Sequence, residues 1–336
     1  MKLVIQIPCY NEEETLVQTL ADIPRSIPGI SAVELLVIDD GSTDRTVEVA
    51  QSLGVDHIVR LPRNLGLARA FKAGLDASLR AGADVIVNTD GDNQYRGEDI
   101  PKLIAPILAG EAEMVVGARP IREIEHFSPA KKVLQRLGSQ VVRWASRTSV
   151  PDAPSGFRAI TRRAAGMIHV FSDYTYTLET VIQAGQKGMA VASVPIRVNR
   201  QARPSRLIKS IPSYLRRSAL TIVRIFMTYR PFRFFAVPGI VSLIAGFFIG
   251  VRFLYFFATG QGGGHVQSLL LGVLLLGVGF FLVVVGLVTD LIAVNRKLLE
   301  EIDYRVRELG DKVDSVEHVP PARWESLPRS ADQRGL

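Results

Sequence analysis

The chain has 336 residues and a single cysteine, Cys9. An intrachain disulfide and a cysteine-built zinc cluster are both excluded. Residues 1–8 hold too short an apolar run for a signal peptide, so the soluble part is expected to stay in the cytoplasm. Glycine is missing where a dinucleotide-binding fold needs it. The turn after the first strand signal reads Pro8-Cys9-Tyr10-Asn11, not Gly-x-Gly-x-x-Gly, which counts against a dehydrogenase. Acidic charge is in deficit, with 33 Asp and Glu against 40 Lys and Arg, for a net charge of +7. A basic excess suits nucleic acid or an anionic membrane; its position beside apolar spans favours the membrane, and no nucleic-acid partner is expected.

What is present is a regular alternation. Short apolar runs at 2–7, 33–38, 57–61, 85–87, 114–116 and 189–198 read as strands. Helical stretches separate the first five, one of them opening at an Asn11 N-cap with Glu12 to Glu14 at its positive end. Such alternation predicts βαβ units and a mainly parallel sheet. Ligands of these sheets bind at the carboxyl ends of strands, where Tyr10, Asp39, Asp90 and Arg119 all fall. The sharpest of these ends is Asp90-Gly91-Asp92, two carboxylates one residue apart after a buried strand. The pair suits a hard divalent cation that shares its shell with substrate phosphates, and Gly91 allows a close backbone approach. Asp-x-Asp by itself also occurs in ordinary polar loops, so the rest of the chain decides.

Four segments decide it: Pro8-x-Tyr10-Asn11-Glu12, Asp39-Asp40-Gly41-Ser42-x-Asp44, Asn64-x-Gly66-x-Ala68-x-Ala70-x-x-x-Gly74, and Asp90-Gly91-Asp92 with Gln94. In this order and spacing, residues 1–210 resemble the family-2 glycosyltransferases of GT-A fold. The resemblance implies that Pro8, Tyr10, Glu12 and Asp39, with Asp40, Asn64, Asp90 and Gly91, bind a nucleotide-sugar donor. It implies further that Asp90 and Asp92, with Gln94 as an added ligand, hold Mg²⁺ or Mn²⁺ on the diphosphate. The chemistry agrees, because a divalent cation offsets charge on a nucleoside diphosphate leaving group.

Farther along, Gln140-Val-Val-Arg143-Trp144 matches a motif of processive polysaccharide synthases, but here it precedes Asp152 and Glu179, and we read it as coincidence. Asp152 before Ser155-Gly156-Phe157-Arg158 resembles polyprenyl-phosphate glycosyltransferases of the dolichyl-phosphate mannose synthase-like group. That likeness puts Asp152 near the acceptor; a turn aspartate between prolines is the plainer alternative. Asp92, Asp152 and Arg119 are the expected catalytic residues. The same group carries Arg-x-x-Gly-x-Ser-Lys after its last strand. This chain matches at Arg200 and Ser205, has Arg203 for Gly, and keeps charge at Arg206. Arg119, Arg200, Ser205 and Arg206 are therefore expected on the acceptor phosphate.

Residues 234–258 and 269–289 are each long and apolar enough to span a bilayer, with arginines flanking them on one side. The expected order is a cytoplasmic catalytic domain (1–207), amphipathic juxtamembrane helices (208–233), a two-helix membrane region (234–294), a cytoplasmic helix (295–310) and a disordered tail (311–336). Both termini are expected in the cytoplasm of a prokaryote, under the plasma membrane. The leading expectation is an inverting transferase that moves one sugar from a UDP- or GDP-sugar to a polyprenyl phosphate, alone or as a homo-oligomer. A transferase with a hydroxyl acceptor would need Glu179 or Asp152 as base. A non-catalytic membrane scaffold is the remote alternative.

Overall fold

Strand β1 (Lys2–Cys9) is apolar on both faces, with Leu3, Val4, Ile5 and Ile7 all fully buried. A strand of that kind belongs in the middle of a covered sheet. Its parallel neighbours are β2 (Ala32–Asp39) and β4 (Val85–Asn88), and β3 (His57–Arg60) lies outside β2. Helices α1 (Leu16–Ala21), α2 (Thr46–Ser52), α3 (Leu67–Arg80) and α4 (Ile100–Leu108) connect them and lead on to β5 (Met114–Ala118). This computed structural model describes residues 1–120, 139–170 (141 and 145 apart), 176–199, 223, 224, 227 and 229–316 (261 apart).

Among the described residues the sheet has seven strands in the order β3-β2-β1-β4-β6-β5-β7. Here β6 is Arg158–Thr161 and β7 is Val191–Pro195; between them lie α5 (Arg162–Met167) and α6 (Thr177–Gln186). Strand β6 has no counterpart in the expected alternation. It inserts antiparallel between β4 and β5, with Asn88 opposite Arg158 and Val116 opposite Arg158 on the other side. Four of the six strand pairings are parallel, so the sheet is mainly parallel as the alternation predicts; it is mixed only at β6, which enters from a long excursion after β5 rather than from a βαβ crossover. Each face has its own core. Leu3, Ile5, Ile7, Leu103 and Ile104 fill one; Val4, Ile86, Phe71 and Ile160 fill the other.

The expected helix start at Asn11 is corrected. Helix α1 begins at Leu16 with Thr15 as N-cap, and Asn11 adopts φ 55°. The intervening loop is pinned to the β2–α2 loop: Asn11 N donates to Ser42 Oγ (2.9 Å), Glu12 N to Thr46 Oγ1 (2.8 Å) and Glu13 N to Asp44 Oδ2 (3.2 Å). The Asn11 side chain that would cap a helix instead accepts from Thr43 N at 2.8 Å, and its left-handed backbone is not that of an N-cap.

Two long helices close the chain, α7 (Pro231–Ala258) and α8 (Val266–Val316), and both are long and apolar enough to cross a membrane. The expected boundary near 294 is not a break. Helix α8 continues through it as 51 residues, about 76 Å at 1.5 Å per residue, and is still helical at Val316. The tail expected to be disordered from 311 is helical as far as Val316; its remainder and most of the juxtamembrane segment lie outside the described residues.

The two helices pack antiparallel on glycine. A Cβ at Gly239 would stand 2.9 Å from the Gly279 carbonyl, and one at Gly246 2.9 Å from the Gly272 carbonyl. Ser242 Oγ donates to the Leu275 carbonyl at 2.8 Å between these two crossings. Small residues at seven-residue spacing let the backbones touch, which is how helices associate where lipid removes the hydrophobic drive. Gly279→Leu should therefore cost about 1–3 kcal/mol in thermal unfolding in detergent, while Gly264→Ala, where a Cβ meets nothing, should be silent. Equal stability of the two variants would contradict this packing.

Candidate functional site

The register of β2, β1 and β4 brings three strand ends together. Cys9 pairs with Asp39, and Gln6 with Asn88, so the segments carrying Pro8 and Tyr10, Asp39 and Asp40, and Asp90 and Asp92 emerge side by side. The loop at 90–92 is drawn tightly onto the end of β1. A Cβ on Gly91 would lie 2.8 Å from Cys9 Sγ and 3.4 Å from the Pro8 carbonyl. The close approach expected of Gly91 is thus made to its own sheet. The Thr15 hydroxyl lies 2.6 Å from Glu12 Oε2 and 2.9 Å from the Gly91 carbonyl, and Thr19 Oγ1 is 3.1 Å from the same carbonyl. Glu12 is therefore built into the support of the Asp90–Asp92 loop.

Asp39 and Asp40 divide their work. Asp40 spends both oxygens on backbone, accepting from Leu65 N (2.7 Å) and Gly66 N (2.9 Å). It anchors the loop that carries Asn64 instead of presenting a free carboxylate. Asp39 accepts from Ser42 N through Oδ1 (2.9 Å), while its buried Oδ2 has no hydrogen-bond donor and the exposed Arg60 Nε stands 3.5 Å away. Tyr10 is more than a third exposed at the mouth of this cleft.

Asp90 is the most perturbed carboxylate. Its Oδ1 is buried without a hydrogen-bond partner. Burial first, and then the charge of Asp92, push its pKa up to about 7, although Arg119 and Arg158 pull the other way. Asp92 Oδ1 accepts from Gln94 N at 3.1 Å, across Asn93 in the left-handed region (φ 54°). Gly156 packs directly on Asp90: a Cβ there would be 3.1 Å from both carboxylate oxygens. A desolvated carboxylate with an idle oxygen beside a second carboxylate fits a divalent cation. Among the described residues no three His, Cys, Asp or Glu side chains converge to hold an ion unaided. Two carboxylates completed by ligand phosphates match the habit of Mg²⁺.

Arg119 and Asp152, thirty-three residues apart, form a buried two-point pair. Arg119 Nε donates to Asp152 Oδ2 at 2.7 Å and Nη2 to Oδ1 at 2.9 Å, and the Arg119 backbone N adds 3.2 Å to Oδ2. Burial opposes the Arg119 charge, but Tyr95 and Asp152 outweigh it and hold its pKa above the usual value. Asp152 does open a turn, its carbonyl accepting from Ser155 N at 3.2 Å, but its carboxylate is no free base; it holds the guanidinium near Asp90. Glu179, the other candidate base, is buried and accepts from Tyr229 Oη at 3.2 Å. Arg296 of α8 lies over the Tyr229 ring (4.8 Å), and Glu300 of α8 pairs with Lys187 at 2.9 Å. Glu179 therefore belongs to the joint between the sheet domain and α8.

Several residues of the site were not singled out from sequence. Asn88 donates to the Gly156 carbonyl and to Tyr176 Oη, both at 2.9 Å, and accepts from Gln6 Nε2 at 2.9 Å. Tyr95 Oη accepts from Gly156 N (3.0 Å); burial pushes its pKa to about 12, so it stays neutral. Arg158 is fully buried and clamps the 153–155 turn onto α6, bonding the Thr177 carbonyl (3.1 Å), Thr180 Oγ1 and the Ser155 carbonyl. Asn199 N donates to the Gln94 carbonyl (2.9 Å), its Nδ2 to the Asn93 carbonyl (3.0 Å), and its Oδ1 accepts from Arg96 Nε (3.1 Å). The only advance signal for these was a polar residue inside or just after a strand. The expected acceptor residues Arg200, Ser205 and Arg206 lie outside the described residues, directly after Asn199.

A sheet of this topology with paired aspartates after its fourth strand is the GT-A fold. Residues 4–166 match the model of glycosyl transferase family 2, and this part of the chain is a glycosyl transferase family 2 domain. The chain is 28% identical over 206 residues to polyprenol monophosphomannose synthase of Mycolicibacterium smegmatis, covering 58% of this chain and 76% of that protein. It is 27% identical over 338 residues to undecaprenyl-phosphate 4-deoxy-4-formamido-L-arabinose transferase of Proteus mirabilis, covering 94% of each. Among solved structures, glucosyl-3-phosphoglycerate synthase from Mycobacterium tuberculosis, in complex with Mn²⁺, UDP and glucosyl-3-phosphoglycerate, matches with a TM-score of 0.53. That likeness, at 20% identity over 68% of this chain and 79% of the other, concerns the fold.

The Arg119–Asp152 pair gives a test of its own. Removing one partner of a buried ion pair leaves the other uncompensated, so Asp152→Ala should lose about 3–5 kcal/mol of stability in denaturant unfolding along with activity. Full stability with activity alone abolished would make Asp152 a reacting group instead of a brace.

Proposed function

We propose that the protein is an inverting, metal-dependent transferase that moves one sugar from a nucleoside-diphosphate sugar to a polyprenyl phosphate at the cytoplasmic face of a membrane. The observation that carries this is the idle, buried oxygen of Asp90 beside Asp92, in a chain that also carries two helices fit to cross a bilayer. Relatives named for polyprenol and undecaprenyl-phosphate chemistry support the acceptor class. The fold neighbour, solved in complex with Mn²⁺ and UDP, supports a donor diphosphate with a divalent cation.

In this reading Asp90 and Asp92, with Gln94, hold Mg²⁺ or Mn²⁺ against the donor diphosphate. The cation supplies charge compensation for the departing nucleoside diphosphate. Pro8, Tyr10, Glu12 and Asp39 form the nucleotide pocket, and Asp40 keeps the Asn64 loop in place beside it. The acceptor phosphate attacks the anomeric carbon from the face opposite the diphosphate, so a bond to phosphate oxygen forms as the bond to diphosphate oxygen breaks. Arg119, held by Asp152, faces that phosphate together with Arg200, Ser205 and Arg206. Asn199 ties the metal loop to the chain segment bearing those three residues, which keeps donor and acceptor in register and lowers the entropic part of the barrier. A phosphate is already ionised at neutral pH and needs no base.

The second reading, a hydroxyl acceptor, needs a base. Asp152 is tied by two guanidinium bonds and Glu179 accepts from Tyr229, so neither stands ready to take a proton. The test uses the purified protein in detergent with UDP- and GDP-sugars, Mg²⁺ or Mn²⁺, and a polyprenyl phosphate, with lipid products read by mass spectrometry. A single added sugar is expected, and Asp92→Ala should lower turnover about 100-fold or more while the fold is retained. Near-normal turnover of Asp92→Ala would remove the metal mechanism. Donor consumption without lipid product would favour the hydroxyl acceptor.

A further inference from the structure

Helix α8 changes character along its length. Before Asn295 nearly every face outside the α7 contact is apolar, as a lipid-facing helix requires. Beyond Arg296 and Lys297 the sequence turns charged, and apolar residues persist mainly in one stripe: Leu299, Ile302, Val306 and Leu309, with Val313 and Val316 continuing the spacing in the sequence. The intervals alternate three and four, which is the a/d pattern of a heptad. Leu299, Ile302, Val306 and Leu309 are 66%, 57%, 61% and 62% exposed, on a stretch that has left the apolar span. Extended backwards, the same register passes through Asn295, Ile292, Val288, Val285 and Phe281, of which Val285 is half-buried and the others exposed.

We propose that α8 pairs with α8 of a second copy of this chain, as a parallel coiled coil along this stripe. Three observations select that occupant. A 3.5-residue apolar period is rewarded by a partner helix that supercoils; lipid needs no period and water needs no stripe. The stripe is separate from the contacts α8 makes within its own chain. Gly272, Gly279 and Gly286, which face α7, and Glu300, which pairs with Lys187, lie one position after the a sites, about a third of a turn from the a/d midline. Both interfaces can therefore be filled at once. Finally, two copies in one bilayer carry α8 in the same direction and at the same depth, so parallel, in-register pairing is imposed by the membrane and each stripe residue meets its counterpart across a two-fold axis.

Asn295 falls on the stripe where the apolar span ends, and a polar residue at a core position fixes register. In the water-facing part the a sites are Leu299, Val306 and Val313 and the d sites Ile302, Leu309 and Val316, so every core position there is apolar. The water-facing part, 299–316, is about 27 Å long and would be marginal as a free peptide. Tethering two copies in a membrane raises their effective concentration and continues the stripe into the lipid.

The inference rests on both helices crossing the bilayer, which alkaline carbonate extraction checks separately: a chain that washes into the supernatant refutes the membrane reading itself. For the pairing, the full-length protein in membranes carries Ile302→Cys, Leu309→Cys or Glu301→Cys, with the buried Cys9 left in place. Oxidation should give a covalent dimer for the first two and not for Glu301→Cys or the parent chain. Equal cross-linking at all three positions, or none, overturns the stripe as an interface. Light scattering in detergent should give twice the chain mass for the parent and the single-chain mass for the Val306→Glu, Leu309→Glu double variant. A monomeric parent overturns the pairing, whether a segment of the same chain or a different protein covers the stripe, and so does a double variant of unchanged mass.

Discussion

A carboxylate taken out of water must either take up a proton or meet a positive charge, and Asp90 does neither completely. Its pKa rises to about 7 because burial and Asp92 both work against its charge. The surroundings are arranged to keep it that way. Gly91 and Gly156 bring backbone against the loop where any side chain would open it, and Thr15 and Thr19 hold the Gly91 carbonyl from the α1 side. Arg119 supplies charge from the far side of the cleft but is bound to Asp152, so it lessens the strain on Asp90 without relieving it. In the proposed function that residual deficit is what a cation chelated by a diphosphate would meet.

The second constraint is mechanical. The proposed function requires a donor from solution and an acceptor in a bilayer to be presented at one height, and a domain on a flexible tether would not do so. Here Glu300 and Arg296 of α8 meet Lys187 and Tyr229, and Tyr229 reaches Glu179 at the start of α6. The same end of α6 holds Arg158 through Thr177 and Thr180. The path from the apolar span to the cleft is thus a run of buried polar contacts. It accounts for the buried Glu179, which the proposed transfer to a phosphate does not need as a base.

Much of this was legible beforehand. Strands β1, β2, β4 and β5 showed themselves because a strand covered on both faces is a nearly unbroken apolar run, and the residues at their carboxyl ends were found by counting forward from each run; the edge strand β3 is only half-buried. Strand β6 was not legible. It is four residues long and starts at Arg158, whose charge is tolerated only because the turn before it and helix α6 supply the acceptors. The N-cap expected at Asn11 failed for a related reason: the local signal was present, but the capping oxygen of Asn11 accepts instead from Thr43, over thirty residues away.

The sequence by itself determined the alternation of the first half, the positions of Asp39, Asp90 and Asp92 at strand ends, and two apolar spans, because each is a matter of neighbours along the chain. Only the tertiary structure decided that Asp152 braces Arg119, that Asp40 anchors a loop, that Glu179 belongs to the joint with α8, and that the glycines of α7 and α8 face one another. Each of these depends on a partner distant in sequence. Composition can show that a charge or a glycine is present; which group it meets is set by strand order and helix packing, and these emerge when the whole chain is buried together.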